Sequence, residues 1–153
     1  MLETPHVAVG AAIASKIPNP FIAIPLSFLS HFALELVPHW NPHLNTEIKK
    51  HGKLTKRTLR VIAIDVAASL FVGGVVAYRV FPDTAHAATI LLSCFAAALP
   101  DILESPYFLF GVKNRVLDKW IRFQKLLQND ADLPYGLITQ GIVFVATIFW
   151  IVS

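Results

Sequence analysis

Two long apolar runs, at residues 59–81 and 133–152, limit how this chain can fold. A helix needs about twenty mostly apolar residues to cross the hydrocarbon core of a bilayer, and both runs reach that length. The composition points the same way, because 55% of the 153 residues are hydrophobic and only 15% are charged. The sequence therefore predicts an integral membrane protein with a single domain over residues 1–153.

Three shorter apolar runs complete the pattern, at residues 5–17, 21–37 and 83–99. A Pro-Asn-Pro turn follows the first, Pro38 is predicted to end the second, and Pro100 is predicted to break the helix of the third. Asp83 is suited to cap the start of that last helix. We therefore predict an all-α fold, a helical bundle of about four to five membrane helices plus one amphipathic surface helix.

The surface helix is predicted within residues 114–130 by a two-sided pattern of side chains. Helical spacing places Val116, Leu117, Trp120, Ile121 and Leu127 on one side, and Arg115, Asp118, Lys119, Arg122 and Lys125 on the other. A helix with such sides is expected to lie flat on a membrane surface, with its apolar side toward the acyl chains.

Basic residues are concentrated in two segments that flank apolar runs. Of the 13 lysines and arginines, eleven lie within residues 49–60 and 113–125. Flanks of this kind orient membrane helices and contact anionic lipid headgroups, so membrane lipids are the expected partners and nucleic acid is not. By the positive-inside rule, the bundle end near residues 49–60 is the cytoplasmic face.

Ionisable residues interrupt the apolar runs at positions that an antiparallel bundle would bring to one end. Folding the first four helices back and forth gathers seven of them at one membrane face: His6, His31, Glu35, His39, Asp65, Asp101 and Glu104. His31 and Glu35 are four residues apart, so their side chains share a helix face. Ionisable groups within membrane segments are energetically expensive, which favours a functional site.

Structural roles stay open for several of these residues. His31 and Glu35 can simply pair with each other, and His39 beside Trp40 can belong to an interfacial aromatic belt. Asp101 and Glu104 have the spacing of a helix capping box.

Three motifs carry a family resemblance: an early histidine in TPHVAVGAAIAS, a Pro-Asp pair in FAAALPDILE, and a His-x-x-x-acid helix followed by Pro-His in SHFALELVPHW. Together they resemble the membrane-bound metal-dependent hydrolases of bacterial inner membranes. More distantly, the last motif is similar to zinc-dependent phospholipase C and single-strand nucleases. The resemblance implies metal-ligand roles for His6, His31, Glu35 and Asp101, with His39 a further candidate.

Histidines combined with carboxylates form ligand sets for zinc, and also for manganese or iron. A bound metal lowers the pKa of its water, and a free carboxylate, Glu35 or Glu104, would accept the proton. We therefore expect a hydrolase of a phosphoester or lipid-like substrate at the cytoplasmic face, with metal ligands among His6, His31, Glu35, His39, Asp65 and Asp101. Two alternatives stay open: a non-catalytic membrane scaffold, and an ion- or proton-coupled transport protein.

Overall fold

The structure, a computed structural model, describes all residues from Met1 to Ser153 and confirms the all-helical prediction. Its elements are α1 (Glu3–Lys16), α2 (Pro20–Glu35), α3 (Leu44–His51), α4 (Lys56–Tyr78), α5 (Thr84–Ile102), α6 (Ser105–Phe110), α7 (Arg115–Leu127) and α8 (Tyr135–Val152). The long apolar runs form α4 and α8, whose bounds lie within a few residues of those predicted.

The centre of the bundle is α1, which packs against α2, α4, α5 and α8. Its alanines are fully buried, because their small side chains let the neighbouring helices approach closely. The approach is closest at Gly10, where an added Cβ would lie 2.7 Å from the carbonyl oxygen of Ser93 on α5. Only a glycine fits this contact, which holds the middle of α1 against the middle of α5.

Three helices, α4, α5 and α8, are long and apolar enough to cross a membrane. Their outer faces carry large exposed apolar side chains, such as Leu70, Phe95 and Phe149. Such faces are disfavoured in water and favourable in lipid, so they indicate membrane association. The sequence also predicts membrane helices at α1 and α2, but these span only 14 and 16 residues, and α1 is covered by the others.

The predicted break at Pro100 is wrong, because α5 continues through it to Ile102. A proline in the last turn removes only one backbone hydrogen bond, and the fully buried Pro100 ring packs in the interior. The capping-box alternative is also wrong, since Asp101 lies inside α5 and Glu104 makes no capping hydrogen bond to α6. The predicted cap at Asp83 is confirmed, as its side chain accepts from the backbone N–H of His86.

The amphipathic helix forms α7 and packs over the end of the bundle where α2 and α5 terminate. Trp120 donates its indole N–H to the carbonyl of Pro100 at 3.1 Å, and Gln124 donates to Asp101 at 3.1 Å. The side of α7 that packs on the bundle carries Leu117, Trp120 and Gln124, whereas Val116 is 79% exposed.

Candidate metal centre

The polar residues of the interior gather at one end of the bundle. This end is formed by the start of α1 and the ends of α2 and α5, with the first turns of α4 beside them. The side chains of His6, His31, Glu35 and His39 are almost fully buried there. Three imidazoles in one desolvated cluster are costly unless each is hydrogen-bonded or binds an ion, so the partner of every nitrogen is informative.

His31 has a ring orientation fixed by the backbone of α5. Its Nδ1 lies 2.8 Å from the carbonyl oxygen of Ala97, and because a carbonyl can only accept, Nδ1 carries the hydrogen. The lone pair of the neutral ring is then on Nε2, a buried atom with no hydrogen-bond partner. Nε2 points at Asp101, whose Oδ1 lies 3.6 Å away.

His6 is fixed in the same way, but by a carboxylate. Its Nε2 lies 3.2 Å from Oε1 of Glu35, which leaves Nδ1 as the lone-pair nitrogen. That Nδ1 is also buried without a hydrogen-bond partner. The rings of His6 and His31 stack with their centroids 4.1 Å apart, so both free nitrogens belong to one small region.

His39 completes the pattern from the segment after α2. Its Nδ1 lies 2.7 Å from the carbonyl oxygen of Val37, and its Nε2 is free, 3.5 Å from Oε2 of Glu35. Burial, together with the positive charge of the Met1 nitrogen, lowers the pKa of His39 and favours the neutral ring.

The backbone around His39 is held by the connection between α7 and α8. The N–H of His39 donates to Asn129, and its carbonyl accepts from Ala131, at 3.0 and 2.8 Å. Gly136 at the start of α8 allows this contact, because a Cβ there would lie 2.3 Å from the backbone nitrogen of Trp40. Helices α7 and α8 therefore position a histidine that the sequence places far from both.

A compact ligand set is formed by His6, His31 and Asp101. One ligand atom from each lies within 4.8 Å of the others. Two ligands bound about 2.1 Å from a tetrahedral zinc lie about 3.4 Å apart, and the 3.6 Å between His31 and Asp101 is close to that value. The three residues therefore form a candidate site for a divalent transition metal.

Glu35 lies between His6 and His39, and its two carboxylate oxygens face different histidines. Its Oε1 accepts from His6 and also lies against the nitrogen of Met1, while Oε2 has no hydrogen-bond partner. A carboxylate that holds the distal N–H of a ligating histidine is a common feature of zinc sites, where it fixes the ring and raises its basicity.

Asp65 is close to the site but is engaged with the start of α1. Its carboxylate accepts from the backbone N–H groups of Glu3 and Thr4 at 2.6 and 3.1 Å, and from the Thr4 hydroxyl at 2.6 Å. Leu2, at the N-cap position of α1, offers no side-chain cap, so Asp65 supplies it from α4. The apolar surroundings of Asp65 in the sequence are thus explained by a structural partner.

Glu104 follows α5, three residues after Asp101. Burial, and then the negative charge of Asp101, raises the pKa of Glu104 to about 7. Its Oε1 is buried and has no hydrogen-bond partner. A carboxyl group in this state is able to accept a proton near neutral pH.

Two polar residues of the site are not predicted from the sequence. Glu3 neighbours Asp101 and has an unpartnered buried Oε2, and Gln124 is buried on α7 beside the same carboxylate. The signal for Gln124 is its position four residues after Trp120, on the otherwise apolar side of the amphipathic helix. Glu3 stands three residues before His6, a spacing that places both on one helix face.

No protein-family model, no curated protein sequence and no solved structure matches this chain. The resemblance of its three motifs to bacterial membrane-bound hydrolases therefore stays a prediction.

Proposed function

We propose that this protein is a membrane-bound metal-dependent hydrolase whose metal is held by His6, His31 and Asp101. The observation that carries the proposal is the set of fixed tautomers. In His6 and His31 one ring nitrogen is hydrogen-bonded to a partner, and the other is buried without one. The free Nε2 of His31 lies 3.6 Å from Asp101, and one ligand atom each of His6, His31 and Asp101 lie within 4.8 Å of one another. Zinc suits two imidazoles and a carboxylate best, with manganese or iron as alternatives.

The chemistry would divide between the metal and two glutamates. A divalent ion polarises a phosphoryl or acyl oxygen and lowers the pKa of a bound water. Glu104 is the candidate proton acceptor, since its buried Oε1 has no hydrogen-bond partner and a general base works best with a pKa near the operating pH. Glu35 is a positioning residue that holds His6, which favours Glu104 between the two candidates.

Charge distribution supports a site on the cytoplasmic side of a bacterial-type inner membrane. Both basic segments, residues 49–60 and 113–125, lie at or beside the site end, because α4 starts there and α7 packs over it. The remaining two cations, Lys16 and Arg79, lie at the far ends of α1 and α4. This asymmetry agrees with the positive-inside rule.

Transport is disfavoured as an alternative by the interior beyond the site. There the centre is a cluster of apolar side chains that includes Ala11, Ile13 and Ile90, and the thiol of Cys94 is its one titratable group. A path for ions or protons needs polar groups or water across the whole membrane. A scaffold role for α7 is favoured by its exposed cations, but it gives no reason for the buried histidines.

Turnover by the purified protein tests the proposal. The protein in mixed micelles with zinc or manganese is expected to hydrolyse phospholipids or simple phosphodiesters. Glu104→Gln keeps the shape of the side chain and removes the base, so we expect a loss on the order of a hundredfold in turnover with metal retained. Absence of turnover by the wild-type protein, combined with salt-sensitive binding to anionic vesicles, would support the scaffold instead.

A further inference from the structure

A groove runs along the surface between α4 and α5, with α1 as its floor, and reaches Asp101 at the edge of the candidate metal centre. Its cavity volume is about 460 Å³, within the range of sites that hold small molecules. The groove opens between two of the helices that are long and apolar enough to cross a membrane. It is therefore accessible from the lipid side of the bundle.

The walls of the groove are apolar over most of its length. Val66 and Leu70 line it from α4, and Leu91 and Phe95 from α5, all with exposed side chains. Gly73 lines the groove at the end away from Asp101 and leaves it deeper there, because a side chain at this position would fill the space. An added Cβ would lie 3.3 Å from the sulfur of Cys94. Gly73 is eight residues beyond Asp65, so this apolar part extends about 12 Å along α4.

The other end of the same groove is polar. Glu3, Asp101, Glu104 and Gln124 line it, and Lys125 is the cation among the lining side chains of α7. Carboxylates alone would repel an anionic group, but a divalent ion on His6, His31 and Asp101 would attract phosphate oxygens. One cavity thus joins a long apolar trough open to lipid with a site suited to a metal-bound phosphate.

We infer that the groove binds a membrane phospholipid, with one acyl chain between α4 and α5 and the phosphate at the metal centre. The inference rests on the proposed function for the phosphate end and on the apolar walls for the acyl end. The substrate is then a bilayer lipid that enters the groove laterally between α4 and α5. A water-soluble phosphoester would leave the apolar part of the groove without a role.

Photolabelling of the intact protein tests this inference. Purified protein in nanodiscs receives a phospholipid with a photoactivatable group in the middle of one acyl chain, and labelled peptides are mapped. We expect labels concentrated on the groove sides of α4 and α5, and a several-fold loss of labelling in Leu70→Trp. Phe71→Trp is the matched control, because Phe71 is the next residue, 71% exposed, and lies outside the groove.

Val66→Trp is a second variant of the groove, and it provides the same test if Leu70→Trp fails to fold. Equal labelling of both groove variants and the Phe71 control, or labels spread evenly over the outer faces of α4, α5 and α8, would overturn the inference. Hydrolysis of a soluble phosphodiester is measured in parallel. Hydrolysis without labelling of the groove would support the hydrolase proposal and contradict the lipid-binding inference. Labelling of the groove without bound metal or turnover would support the acyl-chain site and contradict the hydrolase proposal.

Discussion

Nε2 of His31 faces Oδ1 of Asp101 across 3.6 Å, and the hydrogen of the His31 ring is committed to Ala97 on the opposite side. Two acceptors held at this distance in a buried site repel each other unless a cation or a proton lies between them. The backbone of α5 sets this arrangement, since Ala97 and Asp101 are one helical turn apart.

Metal content should depend on this pair. The purified wild-type protein is expected to hold a divalent metal, and His31→Ala and Asp101→Ala, which each remove a proposed ligand, are expected to lose it. Elemental analysis of detergent-purified protein measures the stoichiometry. His86→Ala is the control, because His86 bonds to Ala14 at the far end of the bundle and should keep the metal. Unchanged metal in the first two variants would mean that the pair is structural.

Glu35→Gln should weaken metal binding without abolishing it. The change removes the carboxylate that fixes the Nε2 hydrogen of His6, and loss of such a support lowers metal affinity by about 10- to 100-fold. Competition with a chelator of known affinity measures the difference. Glu104→Gln, which leaves His6 untouched, should bind metal as the wild-type protein does. Equal affinities for all three proteins would contradict the positioning role of Glu35.

Asp65→Ala should destabilise the fold while metal stoichiometry persists. The variant leaves the Glu3 and Thr4 N–H groups at the start of α1 without their acceptor. Loss of a helix cap lowers the free energy of unfolding by about 0.5–2 kcal/mol. Because the cap from Asp65 is partly buried, we expect a loss of about 2 kcal/mol. Thermal unfolding in detergent measures the loss. Asp83→Ala removes the exposed cap of α5 and should cost less. Metal lost from Asp65→Ala protein that remains folded would instead make Asp65 a ligand.

The raised pKa of Glu104 predicts a pH-dependent stability in metal-free protein. A carboxyl group with its folded-state pKa raised from 4.5 to about 7 favours folding below pH 4.5, and that contribution is lost as the pH rises through 7. Glu104→Gln removes this loss. Its free energy of unfolding should therefore rise by roughly 2 kcal/mol relative to that of the wild-type protein between pH 5 and pH 8. Melting curves with chelator at both pH values measure it. A constant difference between the two proteins would show that Glu104 titrates normally.

Labelling of single cysteines should place residues 50 and 83 on opposite sides of the membrane. Lys50→Cys lies in α3 at the site end, and Asp83→Cys lies at the far end where α5 begins. In a Cys94→Ala background, an impermeant maleimide added to spheroplasts should react with the second variant only. Reaction of both cysteines from outside would reject the cytoplasmic assignment of the site.

Apolar periodicity and turn residues allowed the fold to be predicted in outline. Residues 59–81 and 133–152 formed helices because such runs have no other stable conformation in lipid. The continuation of α5 through Pro100 was not predictable, because it depends on tertiary packing and not on the local sequence. Likewise, the outward direction of Val116 follows from how α7 docks on the bundle end.

For the candidate site, spacing identified which residues meet, but not what each one does. His31 and Glu35 share a helix face by their separation in sequence, yet Glu35 bonds to His6 on another helix. The role of Asp65 could not be predicted from the sequence, because it depends on α1 having no side-chain cap of its own and on α4 packing beside the start of α1. Which ring nitrogen carries a hydrogen is decided by backbone carbonyls such as that of Ala97, and no sequence pattern reports this.

The central position of α1 has a consequence for biogenesis. This helix carries His6, and one of its sides is covered by α8, whose first residue follows the last residue of α1 by more than a hundred positions. During synthesis at the translocon, that side of α1 stays uncovered until the ribosome has made α8. The helices that carry His6, His31 and Asp101 are all complete before α8, so this cluster can form while one side of α1 is still uncovered.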